Sequence, residues 1–295
     1  MRQKLEHLYE HHYKKLLVVP LLLVIFGFVV LGVQYSKTGE LIGRDVELKG
    51  GVEVTLDVAN IDSEAISTLL DQHYTDFTVR ELTDFSTHQN LGVTLKLGDL
   101  TEQDVPLLKE RLLSVVDFTD EQFTASTVRA DFGAGFYKSL VIVLIFAFLL
   151  MALAVGIAFR SFIPCVAVIS AAFIDLLVAL AIVSLFGMKL SSAGIVAFLL
   201  VLGYSIDTDV LLTTKMLKRR GEGTLLGRMF SSMKTGLMMT LTTLIALGIG
   251  IVVALSPVLK QMFAIILIAL VVDVISTYLG NAPILLWYCK RKGIE

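Results

Sequence analysis

The chain has 295 residues, of which 55% are hydrophobic and only 18% are charged, and its mean hydropathy is +0.78. A soluble protein of this length carries more charge, so the composition excludes an ordinary soluble fold and indicates a polytopic membrane protein. The two cysteines, Cys165 and Cys289, are too few for a disulfide scaffold or a four-cysteine zinc site, and we interpret them as reduced thiols.

The N-terminal tail, residues 1–15, leads into a long apolar run. Lys14 and Lys15 precede residues 16–34, which are apolar enough for one membrane helix. A cleaved signal peptide has a shorter apolar core followed by a small-residue cleavage site, and no clear site follows this run. The pattern therefore predicts an uncleaved signal-anchor as the first transmembrane helix.

Six apolar stretches are long enough to cross the hydrocarbon core of a bilayer, which requires roughly 20 helical residues. They lie at 16–34, 139–159, 164–186, 191–212, 236–256 and 261–288. Basic residues gather in the N-terminal tail, in the connection 213–235 and in the C-terminal tail 289–295. With an even number of spans, these segments share one side, which the positive-inside rule predicts to be the cytoplasm. We therefore predict a multi-pass protein of the cell membrane with both termini inside.

The basic connection 213–235 has apolar residues at helical spacing in its second half. They are Leu225, Leu226, Met229, Phe230 and Met233, with Arg228 and Lys234 beside them. This pattern suits an amphipathic helix lying on the cytoplasmic membrane surface. We favour this interpretation for the connection 213–235, although an extension of the next membrane helix explains the pattern nearly as well.

The long segment 35–138 between the first two spans is predicted to lie outside the cytoplasm. It holds 19 acidic and 9 basic residues, a balance that argues against nucleic-acid binding. Alternating and β-branched residues predict strands, and capped amphipathic stretches predict helices. The predicted elements are strands 52–58, 77–82, 91–97 and 123–128 and helices 63–73 and 106–115. Their order, β-α-β-β-α-β, is that of a ferredoxin-like α+β domain.

Four aspartates fall inside predicted membrane helices. Asp175 lies in the third span, Asp207 and Asp209 in the fourth, and Asp273 in the sixth. None has a lysine or arginine partner in its own span, and a charged side chain near the bilayer centre costs about 2.5–3.5 kcal/mol. These acids must therefore be protonated or meet water, hydroxyl groups or another subunit, and we predict that they carry protons.

Asp207 and Asp209 are two residues apart, so they point to different faces of one helix. Asp207 lies deeper, and we expect it to be the principal carrier, whereas Asp209 lies closer to the basic end at Lys215. Gly203 and Ser205, on the same helix, permit close packing with a neighbouring helix.

Span five supplies Thr240 and Thr243, one turn apart, as further candidates for a proton path. Threonines in membrane helices usually bond their own backbone, which is the alternative for these two. No zinc motif, phosphate loop, catalytic triad or dinucleotide fingerprint occurs in the sequence, so we predict neither an enzyme nor a bound metal or cofactor.

Several segments resemble the SecD/SecF protein-export family, and the layout is similar to that of an archaeal-type SecF. Residues 43–51 resemble the segment that leads into the family's outer domain, and residues 203–207, Gly-Tyr-Ser-Ile-Asp, resemble its fourth-span motif. Thr240, Thr242 and Thr243 match the family's fifth-span threonines, and Asp175 its third-span acid. The chain departs from the bacterial pattern at Thr208, which occupies the usual position of the SecF acid.

The resemblance implies an accessory subunit of the protein-translocation machinery that pairs with SecD beside the SecY channel. Family members are related to resistance-nodulation-division transporters, which implies that the proton gradient drives export and that the outer domain handles unfolded secretory polypeptide. Two alternatives remain: a translocon scaffold that carries no protons, and a small-solute or lipid exporter of the same superfamily.

Overall fold

A bundle of long apolar helices carries a small α+β domain at one end. The computed structural model describes residues 2–59, 61–83, 89–98, 100–128, 130–219, 221 and 223–294. In chain order the elements are α1 (Arg2–Leu16), α2 (Val18–Thr38), α3 (Val46–Lys49), β1 (Gly51–Leu56), α4 (Ser63–Asp71), β2 (Phe77–Thr83), β3 (Asn90–Leu97), α5 (Val105–Leu113), β4 (Phe123–Val128), α6 (Ala130–Phe159), α7 (Phe162–Leu185), α8 (Ser192–Leu217), α9 (Leu225–Val253), α10 (Pro257–Ser276) and α11 (Ala282–Arg291). A π-helical turn, Thr277–Asn281, joins α10 to α11.

Among the residues that the structure describes, six helical stretches are long and apolar enough to cross a membrane. They are His12–Thr38, Gly135–Phe159, Phe162–Leu185, Ser192–Leu217, Leu225–Val253 and Pro257–Arg291. The prediction of a polytopic α-helical protein is therefore confirmed. In the most apolar part of α7, of α8 and of the α10–α11 stretch, 50–56% of the residues are buried, whereas in α2, α6 and α9 only 11–17% are. The helices α7, α8, α10 and α11 thus form the centre of the bundle.

Close packing in the bundle depends on small residues, as expected when both lipid and protein are apolar. At Gly27 of α2, an added Cβ would lie only 2.8 Å from Cγ of Leu177 in α7. Any larger residue at this position would push α2 away from the centre of the bundle.

The basic connection does not form a separate surface helix. Residues 213–217 complete α8, and residues 225–235 are the first turns of α9, so the extension interpretation describes the structure. The reason lies in packing, because Leu225 and Met229 are buried against Leu212, Leu285 and Leu286 rather than facing lipid. Arg220 of this connection lies outside the described residues.

The α+β domain between the first two long helices has the predicted β-α-β-β-α-β order. Its sheet has the strand order β2-β3-β1-β4, and each neighbouring pair is antiparallel, with Val54 opposite Leu95 at the centre. This is the ferredoxin-like arrangement, so the predicted α+β domain is confirmed. Asp62 caps α4 by accepting hydrogen bonds from the backbone N–H groups of Glu64 and Ala65.

The core of the domain lies between one sheet face and two helices. Alternate residues of β1 and β3 point into it, because side chains alternate across a strand. The fully buried members are Val52, Val54, Leu56, Val93, Leu95 and Leu97 from the sheet and Ile66, Leu70, Leu108 and Leu112 from α4 and α5. This accounts for the sequence periodicity that predicted the domain.

The opposite face of the sheet holds a buried ion-pair cluster. Lys96 of β3 is only 5% exposed, and its Nζ lies 3.2 Å from Asp45 Oδ2, 3.2 Å from Glu47 Oε1 and 3.7 Å from Glu53 Oε2. Burial alone would lower the pKa of Lys96, but these three carboxylates outweigh it and raise the pKa above its usual value. Lys96 therefore stays charged and ties α3 and the preceding residue Asp45 to the sheet.

The domain is joined to the α7–α8 turn by backbone and side-chain contacts. The backbone N–H of Asp45 donates to Leu190 O at 2.9 Å, and that of Leu190 donates to Gly43 O at 2.6 Å. Lys189 Nζ lies 2.5 Å from Asp76 Oδ1, and Lys49 Nζ lies 2.7 Å from Asp76 Oδ2. We call the contacts of these residues the junction.

Acidification is expected to loosen the junction. Burial acts to raise the pKa of Asp76, but hydrogen bonds and charges from Lys189 and Lys49 outweigh it, so the pKa lies below its usual value. A carboxylate with a lowered pKa contributes stability that is fully present above the unfolded pKa of about 3.9 and is lost as the pH falls through the folded value. Limited proteolysis of the detergent-solubilised protein should release the domain faster below about pH 4. Asp76→Asn should remove much of that acid-induced change.

Candidate functional site

Three aspartates from different helices meet inside the bundle. Asp175 of α7 and Asp209 of α8 are 0% exposed, and Asp273 of α10 is 1% exposed. The helices that carry them form the buried centre of the bundle. We call Asp175, Asp209 and Asp273 the acid cluster.

Asp175 is held by two serine hydroxyl groups. Ser205 Oγ of α8 donates to Asp175 Oδ2 at 2.5 Å, and Ser276 Oγ of α10 donates to Oδ1. Both serines are fully or almost fully buried. The carboxyl group of α7 therefore fastens α8 and α10 together through hydrogen bonds rather than through charge.

Asp209 and Asp273 share one hydroxyl group. Thr277 Oγ1 lies 2.9 Å from Asp209 Oδ1 and 3.2 Å from Asp273 Oδ1, and it has a single proton to donate. If Thr277 donates to Asp209, Asp273 can bond to it only by carrying a proton itself, and the reverse holds as well. The bridge thus has two hydrogen-bonding patterns that differ in which carboxyl group is protonated.

Further donors complete the surroundings of these two acids. Thr208 Oγ1 lies 3.1 Å from Asp273 Oδ2, and Asn281 Nδ2 donates to Asp209 Oδ1 at 2.7 Å. Asn281 and Thr277, the two ends of the π-helical turn, therefore reach the same oxygen of Asp209. Such turns often occur at functional sites, where they change the register of a helix locally.

The acid cluster has no ion-pair partner among the residues that the structure describes. Burying an ionised carboxylate without a cation costs several kcal/mol, and three such charges would also repel one another. Hydroxyl and amide donors offset part of this cost. Protons held among the three carboxyl groups offset the remainder, so the arrangement is suited to binding and passing protons.

Asp207 and Gly203 lie away from the acid cluster, on the exposed face of α8. A Cβ added to Gly203 would meet no described heavy atom within 4 Å, so this glycine packs against no helix in the described part of the chain. Ser205, by contrast, faces α7 through its bond to Asp175. In the fourth-span motif, Gly203 and Asp207 therefore lie on the exposed face of α8, whereas Ser205 points into the bundle.

The threonines of α9 take separate positions. Thr240 is buried, at 5% exposure, whereas Thr243 is half-buried and donates to the backbone carbonyl of Met239 at 3.1 Å. Thr242 bonds the same carbonyl at 2.8 Å. Neither Thr240 nor Thr243 has a hydrogen bond to the acid cluster, and a role for them in a proton path stays a prediction.

The polar partners of the acids were largely missed by reasoning from sequence. Ser205 was predicted only as a packing residue, and Thr208, Ser276 and Asn281 were not predicted as site residues. One signal was present, because Asp273, Thr277 and Asn281 follow one another at intervals of four residues in an otherwise apolar helix. A polar stripe of this kind on a membrane helix indicates a buried polar neighbour.

Comparison with known proteins shows the family to which the chain belongs. A profile of the SecD/SecF protein-export membrane proteins, C-terminal, matches residues 109–291. The protein-export membrane protein SecF of Pyrococcus furiosus is 31% identical over 100% of this chain and 98% of its own length. SecF of Methanolacinia petrolearia is 32% identical over 95% of each chain.

A solved structure shows a similar fold. SecDF of Thermus thermophilus, a translocon-associated membrane protein, superposes with a TM-score of 0.73 at 19% sequence identity. The match covers 95% of this chain and 38% of the length of SecDF, so it concerns one part of a longer protein. The extent of the profile match and the identity to full-length relatives give the same answer: this chain belongs to the SecD/SecF family of protein-export membrane proteins, in its SecF branch.

Proposed function

We propose that this chain is an accessory subunit of the Sec translocase that assists protein export together with SecD, next to the SecY channel, and that it is driven by the proton motive force. The observation that carries the coupling is the acid cluster, where three buried carboxyl groups, with no cation beside them in the described part of the chain, are linked by hydroxyl groups across α7, α8 and α10. Relatives that share this family are named protein-export membrane proteins, which supports the export role.

A proton that enters the acid cluster changes how the central helices are joined. Protonation of Asp273 or Asp209 reverses the direction of the Thr277 hydrogen bond, which connects α8 with the turn after α10. Moving one charge across the membrane releases about 2.3 kcal/mol per 100 mV, enough to shift a conformational equilibrium roughly fiftyfold. The proposed driving force is therefore large enough to shift the equilibrium between two arrangements of the central helices.

The same helices reach the outer domain at their other ends. Ser192, the first residue of α8, donates to Glu47 Oε2 at 2.7 Å. Gln261 of α10 accepts from Ser191 at 2.6 Å and donates to Lys189 O at 2.5 Å, and Lys189 contacts Asp76 of the domain. A change in the packing of α8 against α10 is thus transmitted to the domain through direct contacts. We propose that the domain moves in response and acts on the emerging, unfolded polypeptide.

The orientation follows from charge. The basic tails and the end of α8 are proposed to lie in the cytoplasm, which places the α+β domain outside the cell membrane.

The exposed face of α8 supports the pairing with SecD. Asp207, Gly203 and Tyr204 lie on it, and an uncovered carboxylate in contact with lipid costs about 2.5–3.5 kcal/mol. A partner helix that packs at Gly203 and bonds Asp207 removes this cost.

This pairing has a direct test. Asp207→Leu is expected to reduce the amount of SecD that copurifies from mild detergent, whereas Asp207→Glu, which keeps the carboxylate, should retain most of it. Full copurification with Asp207→Leu at normal membrane abundance would argue that this face contacts something other than SecD.

A translocon scaffold is compatible with the same similarities to known proteins, but it predicts no proton movement. The solute-exporter alternative predicts transport that survives deletion of residues 40–130, because the outer domain is then dispensable. The acid cluster and the tight junction between domain and bundle favour the coupled translocase over both.

A further inference from the structure

The π-helical turn between α10 and α11 leaves one backbone carbonyl without its usual helical donor. In a π-helix each N–H donates to the carbonyl five residues earlier, and here the N–H of Ala282 donates to Thr277 O. The next bond, to Tyr278 O, would come from residue 283, which is a proline and has no N–H. Tyr278 O therefore lacks a bond from both residues that could supply one in a regular α- or π-helix.

A tyrosine of the N-terminal helix donates to this carbonyl instead. The hydroxyl group of Tyr9 in α1 donates to Tyr278 O at 2.7 Å, and the Tyr9 side chain is only 1% exposed. Its ring lies edge-on to that of Phe230, with 5.8 Å between the centroids, in a cluster with Met229 and Leu285. Burial raises the pKa of Tyr9 to about 12, so the hydroxyl group keeps its proton and remains a donor at neutral pH. Buried carbonyls are almost always paired, and Tyr9 meets that requirement here.

Two further features hold α1 in place for this contact. The backbone of His12 departs from helical geometry, at φ −125° and ψ 15°, and this kink separates the segment with Tyr9 from the membrane helix that follows. Lys290 of α11 donates from Nζ to Glu10 O at 3.2 Å, and the same Nζ lies 5.1 Å from the ring centre of Tyr13. The N-terminal helix is thus attached both to the π-helical turn and to the helix after it.

We propose that Tyr9 is a positioning residue, whose hydroxyl group replaces the donor that Pro283 lacks and thereby fixes the π-helical turn. Thr277 and Asn281, at the two ends of that turn, bond Asp209, so the bond from Tyr9 helps to hold the partners of a buried acid. Loss of a donor to a buried carbonyl shifts the equilibrium toward other arrangements of the turn roughly tenfold. The contact follows from the geometry, whereas its importance for export rests on the proposed function.

Hydrogen exchange of the full-length chain purified with SecD tests the contact. Tyr9→Phe removes the hydroxyl group and keeps the ring, so peptides that cover residues 277–282 should exchange roughly tenfold faster, while peptides from α7 keep their rate. Tyr13→Phe is the matched control, because it makes the same change on the same helix and keeps the ring beside Lys290. Exchange in this control should equal that of the wild type.

A second substitution separates the bond from the packing of the ring. Pro283→Ala restores an N–H at the position of the missing donor, so Tyr278 O no longer depends on Tyr9. In the native background Tyr9→Phe should speed exchange in the turn and slow the processing of secretory precursors. In the Pro283→Ala background it should change either rate by less than about twofold. A tyrosine that acts only through packing would not respond to the residue at position 283.

Equal effects of Tyr9→Phe in the two backgrounds would overturn the proposal, as would wild-type exchange in the turn of Tyr9→Phe. Faster exchange with normal precursor processing would show that the turn is held by Tyr9 but that export does not need it, which rejects the positioning role. Failure of proton coupling has a different signature, because it appears as normal processing with Asp209→Asn. The exchange measurement does not depend on that result.

Discussion

Replacing Asp209 with asparagine is expected to slow the processing of secretory precursors severely while the protein remains at normal abundance. Asparagine keeps the size of the side chain, and its one oxygen can accept the hydrogen bonds that Thr277 and Asn281 donate to Asp209 Oδ1. It cannot bind or release a proton, so one of the two hydrogen-bonding patterns of the Thr277 bridge is lost. Because no proton then moves across the membrane, the equilibrium constant between the two arrangements of the helices loses a contribution of up to about fiftyfold per proton at 100 mV.

Pulse-chase measurement of precursor processing checks this result. Asp117→Asn is the matched control, because it makes the same chemical change at an exposed carboxylate of the outer domain. Membrane levels of both variants are compared by immunoblotting. Normal processing with Asp209→Asn would remove this residue from the mechanism and favour the scaffold alternative.

Replacing Leu95 with alanine is expected to unfold the α+β domain under conditions in which the membrane helices stay folded. Leu95 is fully buried at the centre of the sheet and packs against α4 and α5. Truncation of a buried leucine typically costs 2–5 kcal/mol, which is a large part of the roughly 5–15 kcal/mol that stabilises a small domain. If the domain acts on the exported polypeptide, export should fail when Leu95→Ala unfolds the domain.

Leu91→Ala supplies the control for this variant, because Leu91 belongs to the same strand but is 49% exposed. Pulse proteolysis in urea reports the stability of the domain in the intact protein. Leu95→Ala should be cleaved at a much lower urea concentration than Leu91→Ala. Similar midpoints for both variants would contradict the assignment of this sheet face as the core.

The α+β domain could be predicted from sequence because its signals are local and periodic. The alternation in 52–58 and 91–97 corresponds to strands β1 and β3, and the capping residue Asp62 corresponds to the start of α4. The boundaries moved by one or two residues where pairing ended, as at Leu56, the last residue of β1.

The identity of the buried acid on α8 could not be predicted from sequence. Helical geometry requires Asp207 and Asp209 to face apart, but it does not say which face turns inward. The sequence favours Asp207 because Asp209 lies closer to the basic end, yet that end is covered by α1, α9 and α11 through residues such as Tyr9, Met229 and Leu285. Depth along one helix was therefore a poor guide to burial, which depends on the neighbouring helices.

Asn281 shows a second limit of sequence reasoning. Thr277 and Asn281 share a helix face at a spacing of four residues, but the sequence does not show that both contact one oxygen of Asp209. The polar stripe in span six could be seen in the sequence, but its partner on α8 follows only from the packing of the bundle.

The most direct test of proton coupling through the acid cluster is a measurement of proton movement across a membrane. The chain is reconstituted with SecD in liposomes that contain a pH-sensitive dye, and a membrane potential is imposed. We expect a potential-driven proton flux that Asp209→Asn abolishes and Asp117→Asn leaves intact. A flux that is absent from the wild-type complex, or that is the same with Asp209→Asn, would contradict it.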